Sequence, residues 1–346
     1  MSPVRLFPHL FCVASLGLAC TPDSDGKASH DRTADETGEP SDSGAVDTGS
    51  RDCAPPDGAP APTVHGHPTD GWRWTKQGAL FEDTEVLEYT EGDLSPTLVD
   101  TGAGLHLLFS RQRGTEQSMW ASTSSDGAHW STPVAVTGLD PSAIEYPSLQ
   151  FKDGGFHLWY GSGSVDYATS SDGFDYTPVD TVLRTPDAGE LASVSLLYPH
   201  VVWTETGIDL WYTGFDGARF AIGRASNTSP GETFTDGERV LSHDPDGWDN
   251  TSVAMPMVVD RDGTQHVWYG GYDTVIANPG PWRVGRYDAE TGQRAVSVPL
   301  AESGLDAWST RDPAVVPWGD GWRMVYVGMG DDGVYRLMSA TSDVCN

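Results

Sequence analysis

Pro147-Ser148-Leu149-Gln150-Phe151-Lys152-Asp153-Gly154-Gly155-Phe156-His157-Leu158-Trp159-Tyr160 decides the architecture of this chain. A proline leads a short apolar run, an Asp-Gly turn reverses the chain, and a second apolar run closes on an aromatic pair. That is two strands and a turn. The unit recurs, with prolines at Pro96, Pro147, Pro199, Pro256 and Pro313, spaced by 51, 52, 57 and 57 residues. Twelve residues after each proline comes an apolar pair ending in an aromatic: Leu108-Phe109, Trp159-Tyr160, Trp211-Tyr212, Trp268-Tyr269 and Val325-Tyr326. A constant offset in five copies marks one supersecondary unit used five times. Short-strand repeats of about 50 residues predict a β-propeller.

Outward from the hairpin, a third strand such as Met119–Thr123 ends in Ser124-Ser125-Asp126-Gly127 or, one unit later, Ser170-Ser171-Asp172-Gly173. Fourth strands are expected around Thr132–Thr137, Thr177–Leu183 and Glu238–Leu241. Proline as the first residue of a strand sacrifices no essential ladder bond. The fifth unit has three strands, and a strand-like stretch from Gly78 to Tyr89 precedes the first. The expectation is an all-β, five-bladed propeller over residues 71–346. Its N-terminal strand completes the last blade, so that no sheet edge stays open. A β-sandwich would explain short strands but not five equal units. No segment shows a helical period.

Residues 1–20 read as an export signal: Arg5, an apolar stretch from Leu6 to Leu18, then Ala19-Cys20. The stretch is too short to span a bilayer as a helix. A small residue before cysteine resembles a bacterial lipobox, which implies lipidation at Cys20 and an outer-membrane or cell-surface lipoprotein. Leu16 stands one place early for that motif, and plain secretion or a periplasmic location is the alternative. Residues 21–70 are rich in Asp, Ser, Thr, Gly and Pro, and are expected to be a disordered tether reaching roughly 40 Å. Cys53 and Cys345 flank the repeats and can pair in an oxidising compartment, tying the ends of the ring together.

The net charge is −30 with only 20 basic residues, which argues against nucleic acid, whose phosphates need Lys and Arg. It also disfavours uronate-rich polymers, so neutral oligo- or polysaccharides fit best. A monomer is expected, with membrane contact only through Cys20.

In a propeller, the loops leading into the innermost strands line a shared central funnel. The residues directly before the five prolines are Ser95, Tyr146, Tyr198, Met255 and Asp312, and one place earlier stand Leu94, Glu145, Leu197, Ala254 and Arg311. Glu145 and Asp312 are the two acids in otherwise neutral columns. A converging pair of carboxylates is what glycoside hydrolysis needs, one as general acid and one as base or nucleophile. Arg311 is the only cation there, suited to holding its neighbour ionised or binding a hydroxyl. Ser95, Tyr146 and Tyr198 complete the candidate substrate contacts.

Three phrases carry a family resemblance: Gly247-Trp248-Asp249 leading to Val253-Ala254-Met255-Pro256, His266-Val267-Trp268-Tyr269-Gly270-Gly271, and Ala168-Thr169-Ser170-Ser171-Asp172-Gly173. Over about residues 72–344 the chain resembles the five-bladed propellers of arabinanases, levansucrases and invertases, among the family 43 and family 32 glycoside hydrolases. The resemblance implies a base at Asp312-Pro313 and an acid at Glu145-Tyr146-Pro147. Arg311-Asp312-Pro313 also resembles the Arg-Asp-Pro motif of invertases. The chain departs from family 43 at Leu94-Ser95-Pro96, where the base usually stands. Asp93 is the nearest match to a third, tuning acid.

Trp159, Trp211 and Trp268 share one register and are expected to pack between blades. Trp248 and Trp308 lie in lead-in loops and are candidates for stacking on sugar rings. His106, His157 and His266 repeat ten residues after their prolines; on a ring they stand too far apart to share an ion, and read as structural. His200 follows Pro199 and is a candidate ligand for a structural calcium in the channel, an ion some family 43 enzymes carry. Asp244, Asp246 and Asp249 form an acidic turn, for which a plain turn is the simpler reading. No cofactor is required. A non-catalytic glycan- or protein-binding propeller is the rival function. A sialidase is a third reading, weakened by the lack of a full Asp box and of an arginine triad.

Overall fold

The computed structural model describes residues 72–82, 91–140, 145–235, 237–261, 264–272, 281–289, 291–298 and 304–343, together with residue 87 and two short strands, β1 (Thr63–Val64) and β2 (His67–Pro68). The signal at residues 1–20, Cys20, Cys53 and Cys345 lie outside the described residues. Among those described, the only helical elements are two 3-10 turns, Thr185–Ala188 and Glu190–Ala192.

The remaining strands are β3 (Thr75–Ala79), β4 (Gly92–Asp100), β5 (Leu105–Arg113), β6 (Glu116–Ser124), β7 (Val134–Ala135), β8 (Ser148–Lys152), β9 (Gly155–Tyr160), β10 (Ser164–Ser170), β11 (Thr177–Arg184), β12 (Ser195–Trp203), β13 (Ile208–Phe215), β14 (Phe220–Asn227), β15 (Glu238–Leu241), β16 (Ser252–Arg261), β17 (Thr264–Tyr272), β18 (Trp282–Tyr287), β19 (Arg294–Val298), β20 (Ser309–Trp318), β21 (Gly321–Met329) and β22 (Tyr335–Asp343). Three sheets are four-stranded: β8 to β11, β12 to β15 and β16 to β19. A further sheet runs β20-β21-β22-β4-β5-β6-β7, and β3 also pairs with β22. Its two halves meet through one parallel bridge, Tyr335 to Gly92.

Every repeated proline lies in, or directly before, the first strand of its meander. Those first strands touch in cyclic order, β4 to β8 to β12 to β16 to β20 and back to β4. The apolar cores follow the same order, because each one fills a seam between neighbouring sheets. Leu108 and Leu149 share one, Trp159 and Leu196 the next, then Trp211 and Val253, then Trp268 and Met324, and finally Val325 and Leu107. Trp159, Trp211 and Trp268 are buried in these seams, where each large side chain contributes about 1.5–3 kcal/mol of burial.

The N-terminal strand differs from expectation in position. It spans Thr75–Ala79, earlier than Gly78 to Tyr89, and pairs antiparallel with β22. A register shift beside Gly78, whose φ is +94°, re-aims the chain there. Lys76 reaches Asp306 at 2.6 Å, and the Tyr326 hydroxyl donates to the same carboxylate at 2.7 Å. Seven residues before Pro256, Asp249 repeats the arrangement, accepting from Tyr269 at 2.9 Å and from Arg294 of β19 at 3.1 Å. Lys76 therefore does for β3 what Arg294 does for β19.

Candidate functional site

The site is built by one backbone irregularity used five times. Ser95, Tyr146, Tyr198, Met255 and Asp312 all have positive φ, between 48° and 60°. For a residue with a Cβ this conformation costs on the order of 1–3 kcal/mol. In four of the five first strands the ladder skips the residue and its proline, between Leu94 and Thr97, Leu197 and His200, Ala254 and Met257, and Arg311 and Ala314. Proline has no N–H to donate, so bulging there loses one ladder bond fewer than elsewhere. The five positive-φ residues and the five prolines, with Thr97, His200 and Met257, line one cavity.

The residue after three of the prolines ties one first strand to the next. Leu149 N donates to Thr97 Oγ1 at 2.9 Å, Val201 N to Ser148 Oγ at 3.0 Å, and His200 Nε2 to the Val258 carbonyl at 2.8 Å. Between the last and first repeats Asp312 performs this task. Its Oδ2 accepts from Ser95 N at 3.1 Å and Ser95 Oγ at 3.4 Å, and its Oδ1 accepts from Arg311 Nε at 3.1 Å. Asp312 is 4% exposed. Arg311 Nη2 also donates to the Tyr198 hydroxyl at 2.5 Å, and the Tyr146 and Tyr198 rings lie 4.0 Å apart. Burial pushes both phenols well above their usual range. Both phenols therefore stay protonated.

The structure thus brings Asp312, Arg311, Ser95, Tyr146 and Tyr198 together. Glu145 stands half-buried beside Tyr146, and its backbone carbonyl accepts from Gly161 N at 2.7 Å. The cavity encloses about 30 Å³, enough for roughly two waters. Ligand pockets hold about 300–1,000 Å³. The floor of the site is therefore too small to take a sugar, which would lie above it.

Several sequence-derived assignments change. Trp248 is not a loop platform: it is 2% exposed, its ring 5.4 Å from Tyr269, and a Cβ on Gly271 or Gly285 would overlap its indole. Two glycines in adjacent strands make the slot it fills. Trp308 is 39% exposed and keeps a surface position. Asp93 is held by Arg111 through two bonds of 2.8 and 3.0 Å, which makes it an ion-pair partner on the first meander. Asp249 is buried against Tyr269 and Arg294, while Asp244 turns the chain by accepting from Gly247 N and Asp246 N. Among the described residues no group of three His, Cys, Asp or Glu side chains is placed to hold a metal. His200 Nε2 donates to the Val258 carbonyl, a cross-strand tie. His106 bonds the Gly173 carbonyl, His157 the Tyr167 hydroxyl, and His266 lies beside Arg286.

Burial lowers the pKa of both His200 and His106 to about 4. In the unfolded chain each titrates near 6.5. Above that pH neither state binds the proton. As pH falls from about 6.5 towards 4 only the unfolded chain takes it up, so stability declines, by up to roughly 3 kcal/mol per histidine. Melting temperatures measured at pH 7, 5.5 and 4.5 should fall in that order. His200→Gln, which keeps a donor for Val258, should flatten the slope.

No protein-family model matches the chain, and no curated protein matches it. Many solved structures do. One described as a glycoside hydrolase is 13% identical, covering 78% of this chain and 91% of that one, with a TM-score of 0.60. An α-L-arabinofuranosidase from Podospora anserina, solved in complex with cellotriose, is 14% identical, covering 79% of this chain and 97% of that one, TM-score 0.56. An exo-1,5-α-L-arabinanase from a bovine ruminal metagenomic library is 11% identical, covering 74% and 95%, TM-score 0.53. At such identities the likeness concerns the fold: this all-β chain arranges its sheets as the propeller glycoside hydrolases do.

Proposed function

We propose that the protein is a five-bladed propeller, closed by β3, that hydrolyses neutral glycans with Glu145 as general acid and Asp312 as base. The observation that carries this reading is the setting of Asp312. Its carboxylate is fixed from one side by Arg311 and from the other by Ser95, and it lines a cavity sized for water. A general base that activates a water needs a fixed carboxylate with space for that water beside it. The structures cited above are glycosidases of this fold, which supports the substrate class.

On this reading the chain is exported, and either tethered through a lipid on Cys20 and the acidic segment after it or released. Glu145→Gln should lower turnover of arabino- or xylo-oligosaccharides about 10²–10⁴-fold, with an unchanged melting temperature. A variant as active as the wild type would remove Glu145 from the mechanism.

A second reading is supported by the bonds Asp312 makes. Both its oxygens are engaged, and the acid ties the fifth first strand to the first much as Thr97, Ser148 and His200 tie the first four in turn. A glycan-binding propeller without turnover would need it for that alone. Absence of turnover, together with binding on a glycan array, would select this reading.

A further inference from the structure

Among the described residues, an aromatic rim stands to one side of this floor. In three meanders the last residue of the second strand, sixteen places after the proline, faces the first residue of the third strand, at the end of the sheet where the bulged residues emerge. The pairs are Phe215–Phe220, Tyr272–Trp282 and Met329–Tyr335 in three successive meanders. In the first meander the same register holds Gln112 and Gln117, near the Asp93–Arg111 ion pair. The rim is therefore aromatic over the third to fifth meanders and polar over the first.

Trp282 is the centre of that arc. It is half-buried, 5.2 Å from Tyr272 and 6.5 Å from Phe220. The guanidinium of Arg311 lies 6.0 Å from its ring and 5.7 Å from that of Tyr335. Gly270 lets it approach the floor, since a Cβ there would press on both Met255 and Trp282. Its backbone is fixed by the next sheet, whose Ser309 Oγ donates to the Trp282 carbonyl at 3.3 Å. A flat apolar face held rigidly beside a fixed guanidinium matches a ring with an apolar C–H face and hydroxyls at its edge.

We infer that Trp282, backed by Tyr335 and Arg311, is the stacking platform that receives a neutral sugar ring above Asp312. This rests on the glycan-acting reading of the site, but not on hydrolysis. The test uses the whole chain carrying Glu145→Gln, so that probes are not consumed, titrated calorimetrically with xylotriose, cellotriose and α-1,5-arabinotriose. Trp282→Leu fills much of the space without a ring, and Trp282→Phe keeps a ring. At least one probe should bind, Trp282→Leu should weaken it about tenfold, and Trp282→Phe should largely restore it, all at similar melting temperatures. Equal binding by Trp282→Leu, equal losses in both variants, or no binding of any probe overturns the inference. Initial rates without the Glu145 substitution separate the two proposals. Ring-dependent binding with no turnover keeps the platform and removes hydrolysis. Turnover with KM unchanged in Trp282→Leu keeps hydrolysis and removes the platform.

Discussion

Asp312→Ala is expected to destabilise the fold by about 3–5 kcal/mol and to abolish turnover. Removing one member of a buried ion pair strands its partner's charge. Here Arg311 would keep only Tyr198 among its hydrogen-bond acceptors shown in the structure, and Ser95 N would lose its acceptor. The bond that ties β20 to β4 would go with them. Asp312→Asn separates structure from chemistry. Its amide oxygen can still accept from Ser95 N, so its cost should be smaller, roughly 1–3 kcal/mol for a weakened charge-assisted bond. Turnover should fall as far as in the alanine variant, because a neutral amide cannot take a proton from water. Chemical denaturation and initial rates, measured on both variants, check this. Asp312→Asn with wild-type turnover would leave Asp312 as a tie between strands and nothing more.

Trp248→Ala should cost about 3–5 kcal/mol, the range for an aromatic deleted from a packed core, and lower the melting temperature by on the order of 10 °C. The indole fills a slot that only glycine leaves open, at Gly271 and Gly285, so no neighbouring side chain can close the hole. KM for any substrate should be unchanged in the folded fraction. A raised KM with no loss of stability would instead restore Trp248 to the role of a sugar platform, as its loop position first implied.

That reversal shows where reading from sequence stopped. Trp248 and Trp308 both sit in lead-in loops, and linear sequence does not separate them. What separates them is the glycine pair on strands β17 and β18, which meets Trp248 only after the sheet forms. Trp282 was missed for a related reason. The second strand keeps its offset from proline through Tyr272, but the spacing to the third strand varies between copies. No fixed ruler reaches Trp282, although its cross-strand partner Tyr272 pairs in the same register as Phe215 and Met329.

Sequence alone determined the repeat, the first three strands of each unit, the packing role of Trp159, Trp211 and Trp268, and the column of residues before the prolines. These depend on local pattern: strand periodicity, turn residues and the missing N–H of proline act within a few positions. Tertiary structure alone decided how large the channel is and what its acids touch. Asp312 and Ser95 are 217 residues apart yet bonded, and Arg311 meets Tyr198 across 113 residues. Whether a carboxylate is open to water or engaged by a neighbour depends on which strands are adjacent, and adjacency between distant strands is set by the packing of whole sheets.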